Sequence, residues 1–206
     1  MPAQVQRFDK VISFPPRAYI DTNYLLYLKL YPTEPARPLY KSCWSFYEKM
    51  RANNVAMYTS ILSLEEAIYI ILYKDGVRRD MKKFRDQNRN PFSQHSAFMQ
   101  QLPKAFTKSY KKHFSNVLHF VQFFYSLGIR LAFPKSYIVP TMAEEPTIAE
   151  KSKRVTNYAV GLLKKYELDP MDAFHIAIAK CLGIDYIVST DKGLKVINEI
   201  KLFCYN

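Results

Sequence analysis

Four acidic residues occupy positions from which their side chains could meet: Asp21, Glu66, Asp172 and Asp191. Asp21 and Asp191 each follow a short apolar or β-branched segment that is typical of a strand, and each precedes a predicted helix. In a parallel sheet both would lie at the carboxyl ends of strands, where α/β folds bind ligands. Several carboxylates at one edge repel one another, and a hard divalent cation relieves that repulsion. Because all the donors are oxygens, the pattern indicates Mg²⁺ or Mn²⁺ rather than zinc.

Glu66 and Asp172 are each predicted in the first turn of a helix, and first turns that follow strands open onto the same sheet edge. Asp172 is the more informative of the two, because residues 173–182 are apolar nearly all round and predict a buried helix. An ionised carboxylate on a buried helix costs free energy unless something compensates its charge. Asp172 is therefore a candidate metal ligand.

Each of these acids also has a purely structural interpretation. Asp21 and Asp191 could be helix N-caps. Glu66 could be the return partner of Ser63 in a capping box, and Asp172 could serve the cap at Asp169 in the same way or favour the helix dipole. The convergence of all four on one edge is what favours a metal site over four separate caps.

The elements that must position these residues alternate between strands and helices. This alternation predicts an α/β fold with a central, mostly parallel sheet of about five short strands flanked by helices. Asp169 and Pro170 predict the start of the helix that carries Asp172, as N-cap and first helical residue. The predicted strands are 17–21, 55–58, 129–133, 185–189 and 202–205, the last at an edge of the sheet; a loop is predicted at 140–146.

Composition places the chain among globular proteins with a polyanionic partner. The chain has 206 residues, of which 49% are hydrophobic, so it is long enough for one domain with a sizeable core. Its net charge of +12 favours nucleic acid or an anionic surface as the partner. Three widely spaced cysteines suggest reduced thiols in the cytoplasm. No segment is apolar for the 18–20 or so residues that a membrane span needs.

Most of the positive charge falls in one stretch, residues 74–112, which has eleven Lys or Arg against three Asp, a local excess of +8. It predicts two basic helices, at about 76–88 and 103–126, joined by a polar loop. We interpret these helices as a basic insertion at about 76–126 within a single domain, with an inert solvated surface as the alternative. The candidate phosphate contacts are Arg78, Arg79, Lys82, Lys83 and Arg85. An apolar stripe at 117, 120, 121 and 124 predicts burial in the core.

Four short motifs resemble, in order and approximate spacing, those of PIN-domain nucleases. The first is YIDTNYLL around Asp21, and the second is TSILSLEEA, which aligns the family's glutamate with Glu66. The third is LDPMDAFHIA around Asp172, and the fourth is IVSTDKGL around Asp191. Any one of these motifs is weakly specific, whereas four in the same order are strongly so. Within the family, the chain most resembles the toxins of VapBC toxin–antitoxin pairs, although the basic stretch makes it longer than those toxins.

The resemblance implies a PIN-like fold over residues 1–206 and a Mg²⁺- or Mn²⁺-dependent ribonuclease that cleaves single-stranded RNA. Asp21, Glu66, Asp172 and Asp191 would hold the metal, while Ser189 and Asn23 would orient a carboxylate or water. It further implies a homodimer and an antitoxin protein as a second partner. The predicted dimer contacts are the aromatic-rich helices that flank the loop 31–38 and the apolar end of the long helix near Phe120 and Phe124. His175, one turn after Asp172, is predicted to pack in the core.

Three other functions fit parts of the pattern. A catalytically inactive PIN-like module would bind RNA or protein without cutting, and a structure-specific DNA nuclease would use the same metal chemistry. Completeness of the acid set favours an enzyme over the inactive module. A peripheral membrane protein fits least well, because the basic helices have no clear Trp- and Leu-rich insertion face.

Overall fold

The computed structural model of the chain describes residues 4–87, 95–132 and 145–205. Among these residues one sheet has six strands in the order β1-β6-β5-β2-β3-β4, and all of its pairings are parallel. The strands are β1 Gln4–Arg7, β2 Arg17–Ile20, β3 Ala56–Ser60, β4 Arg130–Ala132, β5 Tyr186–Val188 and β6 Lys201–Cys204. The α/β class with a parallel sheet is confirmed, with one strand more than expected.

Helices connect and flank these strands. They are α1 Thr22–Leu30, α2 Pro38–Ala52, α3 Ile61–Tyr69, α4 Arg78–Gln87, α5 His95–Ser126, α6 Glu145–Tyr166 and α7 Pro170–Cys181. A π-helical segment, Ile70–Val77, joins α3 to α4, and a 3₁₀ turn, Gly193–Val196, follows β5. The loop predicted at 140–146 lies largely outside the described residues, as does the last residue of the strand predicted at 129–133. Of the polar loop predicted between the basic helices, residues 89–94 lie outside the described residues, and residues 95–102 are helical instead. None of the described helices is long and apolar enough to cross a membrane.

The N-terminal strand β1 is the element that the sequence did not predict. Its sequence is Gln-Val-Gln-Arg, with a single apolar residue, so it lacks the apolar alternation that marks a strand, and all four residues are exposed. It forms by pairing in parallel with β6, with Gln4 opposite Lys201. The prediction that the last strand lies at an edge was therefore wrong, because β6 is interior and β1 covers its outer side.

The chain divides into two compact units. The first comprises the residues up to Leu64 and from Gly128 onward and contains the sheet; the second is the helical segment Glu65–Leu127. The insertion predicted at about 76–126 falls inside this second unit. We call it the helical unit.

The central strands of the sheet are buried on both faces by alternating side chains. Tyr19, Ile187 and Leu202 belong to a buried cluster with apolar residues of α6 and α7, such as Ala159 and Ile176. Side chains point alternately to opposite faces along a strand. On the other face, Phe203 therefore packs edge-on against Phe46 of α2, with ring centroids 5.4 Å apart. Burial on both faces is what parallel sheets require.

The helical unit corrects the predicted start of the long helix. The sequence predicted a helix at about 103–126, and a proline such as Pro103 is usually found in the first turn of a helix because it lacks the backbone N–H and clashes with the preceding turn. The helix instead begins at His95 and continues through Pro103. Phe120 and Phe124 are buried, at 1% and 2% exposed, as the apolar stripe predicts. Being buried within the chain, they are not the dimer contacts that we expected.

Gly76 lies where the π-helical segment packs closely against α5. A Cβ at this position would lie 2.7 Å from Cγ of His113, and His113 cannot easily move because its Nε2 is 3.0 Å from Oδ2 of Asp80. We expect Gly76→Ala to lower the free energy of unfolding by about 1–3 kcal/mol, although alanine is the better helix former. Urea denaturation followed by circular dichroism measures the change.

Gly161 in α6 provides the matched control. It is helical and exposed, and a Cβ there would meet nothing within 4 Å. Gly161→Ala should therefore stabilise the protein by about 0.5–1 kcal/mol through helix propensity alone. Equal effects of the two substitutions would contradict close packing at Gly76.

Candidate carboxylate site

The strand order reverses at the centre of the sheet, between β2 and β5. The chain runs from β2 outward through β3 to β4 and then returns to place β5 on the other side of β2. In open parallel sheets, ligands bind outside the carboxyl ends of the two strands at which the order reverses in this way. Asp21 directly follows β2, and Ser189 directly follows β5. The first and fourth motifs therefore lie side by side at the point where the strand order reverses.

The register of β2 and β5 brings Asp21 beside Ser189. Ile20 pairs with Val188, so the next residue of each strand lies at the same level. The Asp21 N–H donates to the carbonyl of Val188 at 3.0 Å, and the Ser189 Oγ donates to Oδ2 of Asp21 at 2.6 Å. This hydrogen bond joins residues 168 positions apart in the sequence.

The N-cap interpretation of Asp21 does not describe what its side chain does. Asp21 stands at the cap position of α1, but within the described structure its carboxylate makes no capping hydrogen bond. The carboxylate is instead held by Ser189, and the residue is only 3% exposed. A buried, oriented carboxylate at the end of a strand is available for chemistry in a way that a surface cap is not.

Ser189 also positions the segment that carries Asp191. Its Oγ accepts the backbone N–H of Asp191 at 2.9 Å, so one hydroxyl group ties both acids together. Asp191 Oδ1 accepts the N–H of Gly193 at 2.7 Å. Asp191 is therefore not the helix N-cap considered for it, because Lys192 holds the cap position of the 3₁₀ turn; the bond to Gly193 instead orients one of its oxygens locally.

Asp172 lies in the first turn of α7, as its motif predicts. The helix begins with Asp169 as N-cap, which accepts the N–H of Met171 at 2.8 Å, and with Pro170 as its first residue. Burial, and after it the negative charges of Asp21 and Asp191, together raise the pKa of Asp172 to about 7, while His175 partly opposes them. Three acids from separate parts of the sequence are therefore close enough to perturb one another.

Tyr19, Ser60, Ser63 and His175 form a buried polar network that no sequence motif predicted. The Tyr19 hydroxyl donates to Ser60 Oγ at 2.7 Å and lies 3.0 Å from Nδ1 of His175. Ser63 Oγ lies 3.3 Å from the same hydroxyl. His175 is 4% exposed, in agreement with its predicted place in the core. The network fixes α7 against β2 and α3, and so fixes the helix that carries Asp172.

The capping box predicted at Ser63 is wrong. The helix α3 begins at Ile61, which makes Ser63 its third residue, and the N–H of Ser63 donates to Ser60 Oγ at 3.3 Å. Glu66 therefore has no capping-box role. Glu66 belongs to the helical unit, and its contribution to a metal site stays a prediction.

Two further residues of the first motif lie near Asp21 in the sequence. Asn23 is the second residue of α1 and is half-buried, and its predicted role in orienting a carboxylate or water stays a prediction. Thr22, which the sequence analysis passed over, is 1% exposed. Within the described part of the chain its Oγ1 is buried and has no hydrogen-bond partner. A buried hydroxyl without a partner costs free energy, so this position suits a water or a ligand oxygen.

The fit to a divalent cation rests on the chemistry of the donors. Asp21, Asp172 and Asp191 offer only carboxylate oxygens, as Mg²⁺ and Mn²⁺ prefer. In the ranges that the structure describes, no three His, Cys, Asp or Glu side chains form a group ready to hold a metal ion. Mg²⁺ commonly binds through one or two carboxylates and keeps several waters. The residues therefore fit an open, hydrated cation rather than a closed cage of four carboxylates.

The five residues predicted to contact phosphates all lie on α4 in the helical unit and are exposed: Arg78, Arg79, Lys82, Lys83 and Arg85.

Comparison with known proteins gives no family for the chain. No protein-family model matches it, and no curated protein matches it.

Proposed function

We propose that the protein is a divalent-metal-dependent endoribonuclease that cleaves phosphodiester bonds of single-stranded RNA. The observation that supports this most is the place of Asp21 and Ser189 at the carboxyl ends of β2 and β5, together with the action of the Asp21 and Asp191 charges on Asp172. The resemblance of four ordered motifs to PIN-domain nucleases points in the same direction. The net charge of +12 suits a polyanionic substrate.

The residues of the chain would act mainly by holding charge in place. Asp21 and Asp172 would bind Mg²⁺ or Mn²⁺, with Asp191 and Glu66 as the further carboxylates. Ser189 would keep Asp21 oriented through its 2.6 Å hydrogen bond. A bound cation of this type lowers the pKa of a water and neutralises charge on a phosphate. The Tyr19–His175 contact would keep α7, and with it Asp172, at a constant distance from β2.

The motif resemblance also supports a cytoplasmic toxin that forms a homodimer and is inhibited by an antitoxin protein. This part of the proposal rests on the motifs alone. An adjacent reading frame that encodes a small DNA-binding protein would support it.

Cleavage with and without metal tests the enzymatic proposal. The purified protein is incubated with a fluorescent single-stranded RNA in Mg²⁺, in Mn²⁺ and in excess EDTA. We expect cleavage only with metal, leaving 5′-phosphate and 3′-hydroxyl ends. RNA that is bound but never cut would indicate the inactive PIN-like module, and preferential cutting of branched DNA would indicate the DNA nuclease. Cleavage that persists in EDTA would also contradict the proposal.

A further inference from the structure

The helical unit contains a basic groove between α4 and α5. Its volume is about 860 Å³, and the α4 side carries Arg78, Lys82 and Arg85. These residues recur at about one-turn intervals, so their charged ends follow one another along the groove at spacings of about 5–6 Å. One carboxylate, Asp86, also lines the groove. Three cations against one anion give the groove a net positive charge.

Aromatic rings border the same groove, and each belongs to a longer exposed series. Tyr73 stacks on Tyr69 with centroids 5.4 Å apart. Phe106 is the first ring of a series on α5 that continues through Tyr110 and Phe114, at centroid distances of 6.4 and 6.1 Å. All five rings are between 42% and 56% exposed. Large apolar side chains gathered at the surface commonly mark a binding site.

The walls of the groove are tied together by a polar cluster. Asp80 of α4 accepts hydrogen bonds from Ser109 at 2.9 Å and from Lys112 at 3.3 Å, and its Oδ2 lies 3.0 Å from Nε2 of His113. Although burial opposes ionisation of Asp80, the hydrogen bonds from His113, Ser109 and Lys112 lower its pKa to about 2. At neutral pH this ionised clamp fixes α4 against α5. The groove therefore needs little reorganisation to bind a ligand.

We propose that this groove binds a single-stranded polynucleotide. Arg78, Lys82 and Arg85 contact successive phosphates, while bases stack on Tyr73 and Phe106. Single strands expose base faces to aromatic side chains, and a cationic groove beside such rings is the usual binding surface for them. A duplex hides those faces. The groove would be the polynucleotide-binding surface of the proposed nuclease, so the inference rests on the proposed function. Binding measurements alone nevertheless test it.

The structure separates the five predicted phosphate contacts into two sets. Arg78, Lys82 and Arg85 line the groove, whereas Arg79 and Lys83 lie on the same helix and are not among its lining residues. Each set contains one lysine and one arginine that can be removed together. The variant Lys82→Gln/Arg85→Gln and its control Arg79→Gln/Lys83→Gln therefore lose the same charge from the same helix.

Fluorescence anisotropy with labelled 12-nucleotide oligouridylate and oligothymidylate measures binding, in EDTA so that no cleavage occurs. We expect Lys82→Gln/Arg85→Gln to weaken binding at least tenfold at 50 mM salt. The plot of log K against log salt should also become less steep, its negative slope shrinking by about 1.4. The control should stay within about threefold of the wild type. Equal losses in the two variants would overturn the groove as the binding site.

Stacking is tested by Tyr73→Ser and Phe106→Ser, each expected to weaken binding about fivefold or more. Tyr125→Ser is the control, because Tyr125 is 71% exposed on α5 and does not line the groove. Circular dichroism confirms that each variant is folded. Ring substitutions without effect would overturn the stacking part of the proposal, and so would equally tight binding of a 12-base-pair duplex.

Polyglutamate, used as a competitor, distinguishes a nucleic acid from an acidic protein partner. Displacement of the oligonucleotide by polyglutamate at equal charge concentration would overturn the proposal in favour of an acidic polypeptide. Tight binding of either single strand supports it, and a preference for oligouridylate would point to RNA. Binding that persists in a protein that never cleaves RNA contradicts the nuclease function alone, whereas cleavage with no groove-dependent binding contradicts this inference alone.

Discussion

Asp21→Asn is expected to lower the rate of metal-dependent RNA cleavage by two orders of magnitude or more. Asparagine has nearly the same shape as aspartate and keeps an oxygen that can accept the hydrogen bond from Ser189. The substitution therefore removes charge while it preserves the contact between β2 and β5. If Asp21 holds the cation, its loss removes both the activation of water and the neutralisation of phosphate charge. A hundredfold loss corresponds to about 2.7 kcal/mol of transition-state stabilisation.

Asp185→Asn is the matched control for this substitution. Asp185 immediately precedes β5 and so lies at the amino end of that strand, whereas Ser189 lies at its carboxyl end. The exposed carboxylate of Asp185 forms an ion pair with Lys180 at 2.6 Å. The Asp185→Asn substitution removes the same charge from the same unit as Asp21→Asn, and exposed ion pairs contribute little to stability. Initial rates in Mn²⁺ should match those of the wild type. Undiminished cleavage by folded Asp21→Asn would exclude Asp21 as a metal ligand.

Asp172→Asn is expected to stabilise the metal-free protein at pH 8 and to have much less effect near pH 4. The folded-state pKa is raised from 3.8 to about 7 by burial and by the charges of Asp21 and Asp191. The folded protein therefore binds a proton that the unfolded chain releases between these two values, and stability falls as pH rises through this window. Above pH 7 the carboxylate of Asp172 is charged in both the folded and the unfolded state, so the full free-energy cost of burying its charge lowers the stability of the folded protein.

The gain at pH 8 should be about 1–2 kcal/mol, since solvent screening reduces the roughly 4 kcal/mol that a full shift of this size implies. For a chain of this length that corresponds to a rise of about 2–8 °C in Tm. Asp169→Asn is the control, because asparagine caps helices as well as aspartate does, so its Tm should hardly change. Melting curves in EDTA at pH 4 and pH 8 decide the question.

Metal should reverse the order of stability. Mn²⁺ at pH 8 should raise Tm of the wild type, because a ligand that binds only the folded state stabilises it. It should raise Tm of Asp172→Asn much less, because one ligand has lost its charge. A wild-type Tm that does not respond to Mn²⁺ would contradict a metal site, whatever the effect of Asp172→Asn in EDTA.

Local sequence signals were sufficient for the parts of the site that depend on short-range physics. Asp21 was placed at a strand end by the apolar residues before it, and Asp169 with Pro170 marked the start of the helix that presents Asp172. The burial of Phe120 and Phe124 follows from helical spacing alone. Each of these signals is contained within one or two helical turns or one strand, so no distant residue is needed to interpret it.

Signals of the same kind failed where a distant partner outweighs local preference. β1 has no strand pattern of its own and forms because β6 offers a free edge of backbone groups. Elsewhere the competing signal is local, because Ser60, three residues before the expected cap at Ser63, directly precedes α3, and α5 continues through Pro103. Of these three elements, β1 is the one explained by pairing with a distant strand.

The sequence by itself determined the types of residue at the site, the charge of the helical unit and the succession of strands and helices. Only the tertiary structure decided that β5 lies beside β2, because strand order depends on pairing between segments far apart in the chain. That single neighbour relation brings Ser189 within 2.6 Å of Asp21 and lets the charges of Asp21 and Asp191 act on Asp172. The tertiary structure also decided which positively charged residues of α4 line the groove. All five look alike in the sequence, and only the packing of α4 on α5 distinguishes them.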